Sequence, residues 1–243
     1  MKVGVQFYSF NPEIKAGGLE KALGIAARCG VEGVELFNLY DIPAMTYRKA
    51  LNDAGVVCYG THNVLKPLVE NLDHVMEYNY VLGNPMIVCC FLMPDERGTK
   101  DKWLYAAESM NKIAATLKHN GFDFSYHNHD FEYSEVFDGE CGMEILLNNT
   151  DPYLVGVQLH IGQLPKFGID QAEYIKKLGR RLKVLHVHTF LSEGVPFDSA
   201  AAINAAKALD VEWAIVENVF STPTDICAVK KSIGEIRDLV RGL

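Results

Sequence analysis

The sequence predicts a closed parallel (β/α)8 barrel, and three observations carry that reading. Short apolar runs alternate eight times with stretches of helical period over 243 residues, a length common for one such barrel. No low-complexity linker divides the chain, so a single domain over 1–243 is expected. Six of the eight histidines (His62, His127, His129, His160, His186 and His188) close strand-like runs, and a carboxylate, Glu217, closes the eighth run. Barrel active sites form at the C-terminal ends of the strands, so these residues should share one pocket.

The elements follow in order. VGVQFY at 3–8 opens the chain as a strand. The loop after it, SFNPEIKAGG, holds no GxGxxG, which disfavours an open dinucleotide-binding sheet. Leu19, Ala22, Leu23, Ala26 and Ala27 recur at helical spacing, and Cys29-Gly30 stops that helix before GVELF at 33–37. Ala54-Gly55 similarly precedes VVCYGT at 56–61, and MIVCCF at 86–91 is the fourth strand. Trp103, Ala106, Ala107, Met110, Ala114 and Leu117 form a long apolar stripe that ends at Asn120-Gly121, before FDFSYHN at 122–128. LVGVQL at 154–159 and KVLHVH at 183–188 come next. Asp198 and Ser199 are N-cap candidates before AAAINAAKAL. WAIVE at 213–217 is the eighth strand, and Val229, Ile233, Ile236 and Val240 stripe the last helix.

Composition narrows the function. Apolar residues make up 49% and charged residues 22%, an ordinary globular balance. The net charge of −8, without any basic run, argues against a nucleic-acid partner, which needs Lys/Arg patches. The longest apolar run, MIVCCFLM at 86–93, is far short of the ~20 residues of a membrane span. The six cysteines (Cys29, Cys58, Cys89, Cys90, Cys141 and Cys227) show no CxxC spacing, and the chain opens on a strand rather than a signal-like segment. A reduced, cytoplasmic protein is expected.

Strand alternation decides which candidates can meet. Residues two apart share a face, so His127 pairs with His129 and His186 with His188. Strands five to eight then offer His127, His160, His186 and Glu217 as a contiguous arc. Three imidazoles and one carboxylate suit a divalent transition metal. Glu35, at the end of GVELF, has the pocket and a neighbouring loop lysine equally open to it. Asp130 reads as a loop residue sooner than as an orienter of a histidine ring, and His74 and His119 as solvated helical positions. Phe7, Tyr8, Phe37, Phe91, Phe131 and Phe190 are placed to shape a mostly apolar rim.

Several motifs carry a resemblance. GVQFYSF at the start, GVELF, YHNHDFEY (126–133), TDPYLVGVQLH (150–160), VLHVH (184–188) and IVEN (215–218) resemble the sugar phosphate isomerase/epimerase family of xylose isomerase-like TIM barrels. That family typically holds a divalent metal by Glu on strand five, Asp on strand six, His on strand seven and Glu on strand eight. His186 and Glu217 match the last two. His127 stands at the strand-five Glu and His160 at the strand-six Asp, so the resemblance implies His127, His160, His186 and Glu217 as the metal set. Replacing two carboxylates by imidazoles favours zinc or manganese, or loss of the metal.

The resemblance implies an isomerase or epimerase acting on a small sugar, polyol or keto-sugar by proton abstraction next to a carbonyl. Glu217 would be the base, with His186 beside it. Glu132, His129, His188, Gln163 and His62 would position substrate oxygens. Only one of the family's paired carboxylates is kept. An inosose dehydratase-like lyase, or a sugar-binding barrel without turnover, therefore stays open.

Overall fold

The computed structural model describes residues 1–37, 39, 41–187, 198–217 and 226–242. Eight parallel strands close into a barrel in chain order. They are β1 (Lys2–Gln6), β2 (Gly33–Phe37), β3 (Val57–Val64), β4 (Met86–Phe91), β5 (Asp123–His127), β6 (Val155–His160), β7 (Leu182–Val187) and β8 (Trp213–Val216). β1 pairs with both β2 and β8, which closes the ring.

The helices form where the apolar stripes lie. Leu19–Arg28 buries Leu19, Ala22, Leu23 and Ala26, and Lys100–His119 buries Trp103, Ala106, Ala107, Met110, Ala114 and Leu117. In Ile226–Arg241, Val229, Ile233 and Ile236 are buried. Asp198 caps the helix Ser199–Lys207 through a bond from the Ala201 amide to its side chain, and Ser199 is already helical. Gly55 and Gly121 turn the chain into β3 and β5 at φ +71° and +83°, conformations that side chains with a Cβ resist. The first strand is shorter than the apolar run suggests, because Phe7–Phe10 turn into a 3-10 helix. Between β5 and β6 lie a short helix, Phe131–Ser134, and a two-stranded hairpin, Val136–Phe137 with Glu140–Cys141; the residue pattern shows neither.

The barrel interior is layered. At the N-terminal end Tyr59 and Trp213 stack with ring centroids 4.7 Å apart, in one buried cluster with Val184 and Ile215. Small residues on β1 and β2 make room for them. A Cβ on Gly33 would stand 2.9 Å from the Trp213 ring, and one on Gly4 would stand 2.7 Å from Ile215. Two residues further along the strands, the same inward face turns polar with Gln6, Glu35 and His186. The alternation slips once in β3. Val34 pairs with Cys58 but Glu35 with Gly60, so Tyr59 is an extra residue, a bulge. Tyr59 can therefore join the lower layer while Gly60 and His62 still face the upper one.

All six cysteines are free thiols. Among the described residues, no helix is long and apolar enough to cross a membrane.

Candidate active site

The upper layer is a hydrogen-bonded network centred on Glu35 and Gln158, both 0% exposed. Gln6 Nε2 donates to Glu35 Oε2 at 2.8 Å, and Gln158 Nε2 donates to Glu35 Oε1 at 2.5 Å. Gly60, the register partner of Glu35, keeps this space open, since a Cβ there would stand 2.9 Å from Glu35 Oε1. The Gln158 carbonyl faces His62 Nε2 at 2.7 Å and His127 Nδ1 at 2.8 Å. That carbonyl can only accept, so it places a proton on each of those nitrogens and leaves His127 Nε2 with a lone pair. Glu35 Oε2 also lies 2.8 Å from both His62 Nε2 and His186 Nε2. His186 Nδ1 meets Glu217 Oε2 at 3.1 Å.

The YHNHDFEY stretch works residue by residue. His127 closes β5 facing inward. Asn128 is buried and ties β5 to β6, accepting from the His160 amide at 2.8 Å and donating to the His160 carbonyl at 3.3 Å. His129 turns to the rim, its side chain one third exposed (33%). Glu132 points away from the cavity and is fully buried; it accepts from Tyr126 Oη at 2.6 Å and from the His129 amide at 2.7 Å. Its placement corrects the expectation that it contacts substrate: the short helix at 131–134 turns it inward, where it fixes the backbone that presents His129. Phe131 stacks behind the His129 ring, with centroids 5.7 Å apart.

Electrostatics divide the imidazoles into two kinds. Burial disfavours charge on His186 and His62, but the Glu35 carboxylate outweighs it and raises both above the usual imidazole range, with help from Glu217 at His186. Burial would likewise push Glu35 up, yet the charges and hydrogen bonds of His62 and His186 hold it well below the carboxylate range. His127 goes the other way: burial, reinforced by the neighbouring imidazoles, holds it well below 6.5 and neutral. Burial also lowers His129 to about 4 and lifts Glu132 to about 7.

Above this network opens a cavity of about 480 Å³ at the C-terminal mouth. Its lining includes Gln6, Tyr8, Phe37, His62, Cys90, Phe91, His127, His129, His160, Gln163 and Glu217. The expected rim aromatics Tyr8, Phe37 and Phe91 are there. Phe7 is buried in the core instead, and Phe190 lies outside the described residues. Gln163 sits on the 3-10 helix Ile161–Phe167, and its buried Oε1 has no hydrogen-bond partner among the described residues. His188 lies outside the described residues.

The arc of strands five to eight converges. His127 lies 5.4 Å from His160 and 4.6 Å from His186 between ring centroids. Two sets of side chains bring donor atoms within 4.8 Å of one another: His127 with His160 and Glu217, and His62 with His127 and His186. The second set is committed elsewhere, because His62 and His186 both turn Nε2 to Glu35. The first fits a divalent ion better. His127 is neutral, its Nδ1 proton is held by Gln158, and its free Nε2 is the arrangement that ligating histidines show. His186, expected as a fourth ligand, instead has both ring nitrogens against carboxylates.

A family profile for the xylose isomerase-like TIM barrel matches residues 23–219. The chain belongs to that family. Inosose dehydratase from Clostridium perfringens (strain 13 / Type A) is 33% identical over 194 residues, which is 72% of this chain and 64% of that protein. The chain spans about two thirds of the length of such curated relatives. A sugar phosphate isomerase/epimerase from Parabacteroides distasonis superposes with TM-score 0.84 at 19% identity, covering 97% of each chain. A D-allulose 3-epimerase from Methylomonas sp. gives 0.74 at 14% identity, covering 100% of this chain and 97% of that one. At such identities these two structures show the shared fold.

Gln6 and Gln158 are site residues that the strand-end pattern does not single out, and for Glu35, which that pattern leaves open between the pocket and a loop lysine, the structure gives the pocket floor. A signal for them exists: each is a polar residue inside an otherwise apolar parallel strand, two positions from a glycine on the same face (Gly4, Gly33 and Gly156). Buried polar groups in such strands need partners, and here they are one another's.

Proposed function

We propose that this barrel acts on a small sugar, polyol or keto-sugar by removing the proton next to a carbonyl, as an isomerase or epimerase. The observation that carries this is Glu217. It is the carboxylate among the described residues lining the cavity, it is only 16% exposed, and it is paired with a buried imidazole, His186. His186, whose proton affinity is raised by the carboxylates of Glu35 and Glu217, orients the Glu217 carboxylate. Glu217, so oriented at the cavity wall, would take the carbon-bound proton. His129, Gln163 and His62 lie where sugar hydroxyls would be held, with the apolar edges of Tyr8, Phe37 and Phe91 around them. His127, His160 and Glu217 would hold a divalent ion, zinc or manganese, whose positive charge would steady the oxyanion that develops on the substrate.

A second reading is elimination of water. It is favoured by the one lining carboxylate among the described residues, where an epimerase of the two-carboxylate kind needs a pair, and by relatives named inosose dehydratase. Both readings share the first step, and one experiment tests it. D-Allulose and an inosose are incubated with the protein in deuterated water, and label at the carbon beside the carbonyl is followed by NMR. Wild type should exchange with at least one. Glu217→Gln, which keeps the shape but cannot accept the proton, should lose roughly 10²–10⁴ in rate. Equal exchange by the two proteins would remove Glu217 as the base.

A further inference from the structure

The cavity beside Glu217 has a larger neighbour at the same end of the barrel. A second cavity, of about 850 Å³ against about 480 Å³ for the first, lies over β2 and β3. Phe37, His62, Val64 and Cys90 belong to the walls of both, so the two adjoin. We propose that this second cavity is a substituent subsite: the sugar handled beside Glu217 carries an uncharged apolar group, of aromatic-ring size, that lies in it. The proposal rests on the reading of the first cavity as the sugar site.

Size is the first argument. Cavities of roughly 300–1,000 Å³ take whole drug-sized ligands, so the first cavity is ample for a small sugar by itself. The larger space is left to whatever the sugar carries. The lining is the second argument. Leu39, Ile42, Ala44, Val64, Pro67 and Val81 all line it, each half-buried, from three separate stretches of chain. Aliphatic side chains gathered round one concavity and left partly open to water mark a surface that another apolar group covers. A second sugar ring would set hydroxyls against this aliphatic wall without hydrogen-bond partners, which loses binding energy.

Charge narrows the class further. The acidic members of the lining, Asp41 and Glu77, are exposed, and none of the described residues lining it is Lys or Arg. A phosphate or carboxylate would meet repulsion there, and an uncharged group would not. The groove is also built in advance. Tyr78, on the helix Leu72–Leu82, donates from Oη to the Ile42 carbonyl at 2.6 Å, and the Ile42 amide donates to the Leu39 carbonyl at 2.9 Å. These bonds hold the apolar side chains between β2 and the helix Ala44–Ala54 in place without a ligand, so little ordering is left for binding to supply. Orientation follows from the sugar site. With the carbonyl end at Glu217, beyond β8, the far end of the sugar is the one that reaches the groove over β2 and β3.

Calorimetry on the whole chain tests this with three probes: D-allulose, its benzyl ether at the terminal hydroxyl, and D-allulose carrying glucose on that same hydroxyl. The benzyl ether should bind at least about tenfold more tightly than D-allulose, a gain of about 1.4 kcal/mol. Burying one aromatic ring can supply that much. The glucosylated sugar should show no such gain. Two variants locate the effect. Ala44→Trp fills the groove and Val81→Asp sets a charge on its aliphatic wall, and neither residue lines the first cavity. In each, the ether's advantage over D-allulose should shrink to within about twofold; taking the ratio cancels any change common to both ligands. The proposal is overturned if the ether binds no better than D-allulose to wild type, if both variants keep the full advantage, or if the glucosyl arm gains as much as the benzyl. Deuterium exchange beside the carbonyl, followed in parallel, keeps the underlying reading apart. Should D-allulose exchange while the ether gains nothing, the subsite fails and the reading of Glu217 stands. Should the ether gain through the groove while neither sugar exchanges, Glu217 fails as the base and the subsite stands.

Discussion

Replacing Glu35 by glutamine keeps the side chain's shape and removes its charge. The native carboxylate accepts from Gln6 and Gln158 and faces Nε2 of His62 and of His186, with none of its surface exposed. A glutamine cannot serve four donors. Whichever way its amide is turned, its own NH2 opposes the amide of Gln6 or of Gln158. Removing one partner of a buried ion pair costs about 3–5 kcal/mol, so the variant should lose that much stability. For a chain of this size each kcal/mol lowers Tm by roughly 2–4 °C, giving a drop of roughly 6–20 °C. The pH dependence has a definite sign. Glu35 is depressed below its ordinary 4.5, so its contribution is full above that value and is lost as pH falls through the folded pKa. His62 and His186 are raised above 6.5, so theirs is full below 6.5 and is lost as pH rises through the folded pKa. The gap between wild type and Glu35→Gln should therefore be widest between 4.5 and 6.5 and narrow toward alkaline pH. Thermal unfolding at about pH 5.5, 7.5 and 9 measures it. A variant within about 2 °C of wild type at pH 5.5, or a gap that widens at pH 9, would refute the reasoning.

Three other outcomes are expected. Gln158→Leu removes the carbonyl that orients His127, and zinc affinity measured by calorimetry should fall about 10–100-fold; unchanged affinity would mean that the ion is held elsewhere. Gly142→Ala sets a methyl 2.5 Å from the buried Trp103 ring, and should cost about 1–3 kcal/mol in urea unfolding while leaving deuterium exchange at the substrate carbon intact. None of the described residues lining the cavity is Lys or Arg, so a phosphorylated ketose should bind at least about tenfold more weakly than its unphosphorylated counterpart in a competition assay; tighter binding of the phosphate ester would contradict that lining.

The barrel is readable from the sequence because its signals are periodic. The apolar stripe of Trp103, Ala106, Ala107 and Met110 can be satisfied only against a core, and eight such alternations leave few architectures. The meeting of His127, His160, His186 and Glu217 is readable for the same reason, since strand ends in a closed barrel share one rim. What pairs with what inside the rim is not. Glu35 faces inward because Gly60 opposes it and Tyr59 bulges, and nothing in VVCYGTH marks one residue as extra. The motif around Glu132 suggests a substrate contact, but the direction of a four-residue helix depends on the Tyr126 hydroxyl waiting beneath it. His186 reads as a ligand until both of its nitrogens are seen facing carboxylates.

The stacked Tyr59 and Trp213, with Val184 and Ile215, have a consequence beyond packing. Among the described residues they fill the lower end of the barrel, so the polar layer is a well that opens toward the rim. Among the described residues the way left to the polar layer is through the rim, where substrate would enter and product leave. Product still in the well keeps the next substrate out, and an inhibitor need only cap the rim, without reaching the floor, to stop the whole cycle.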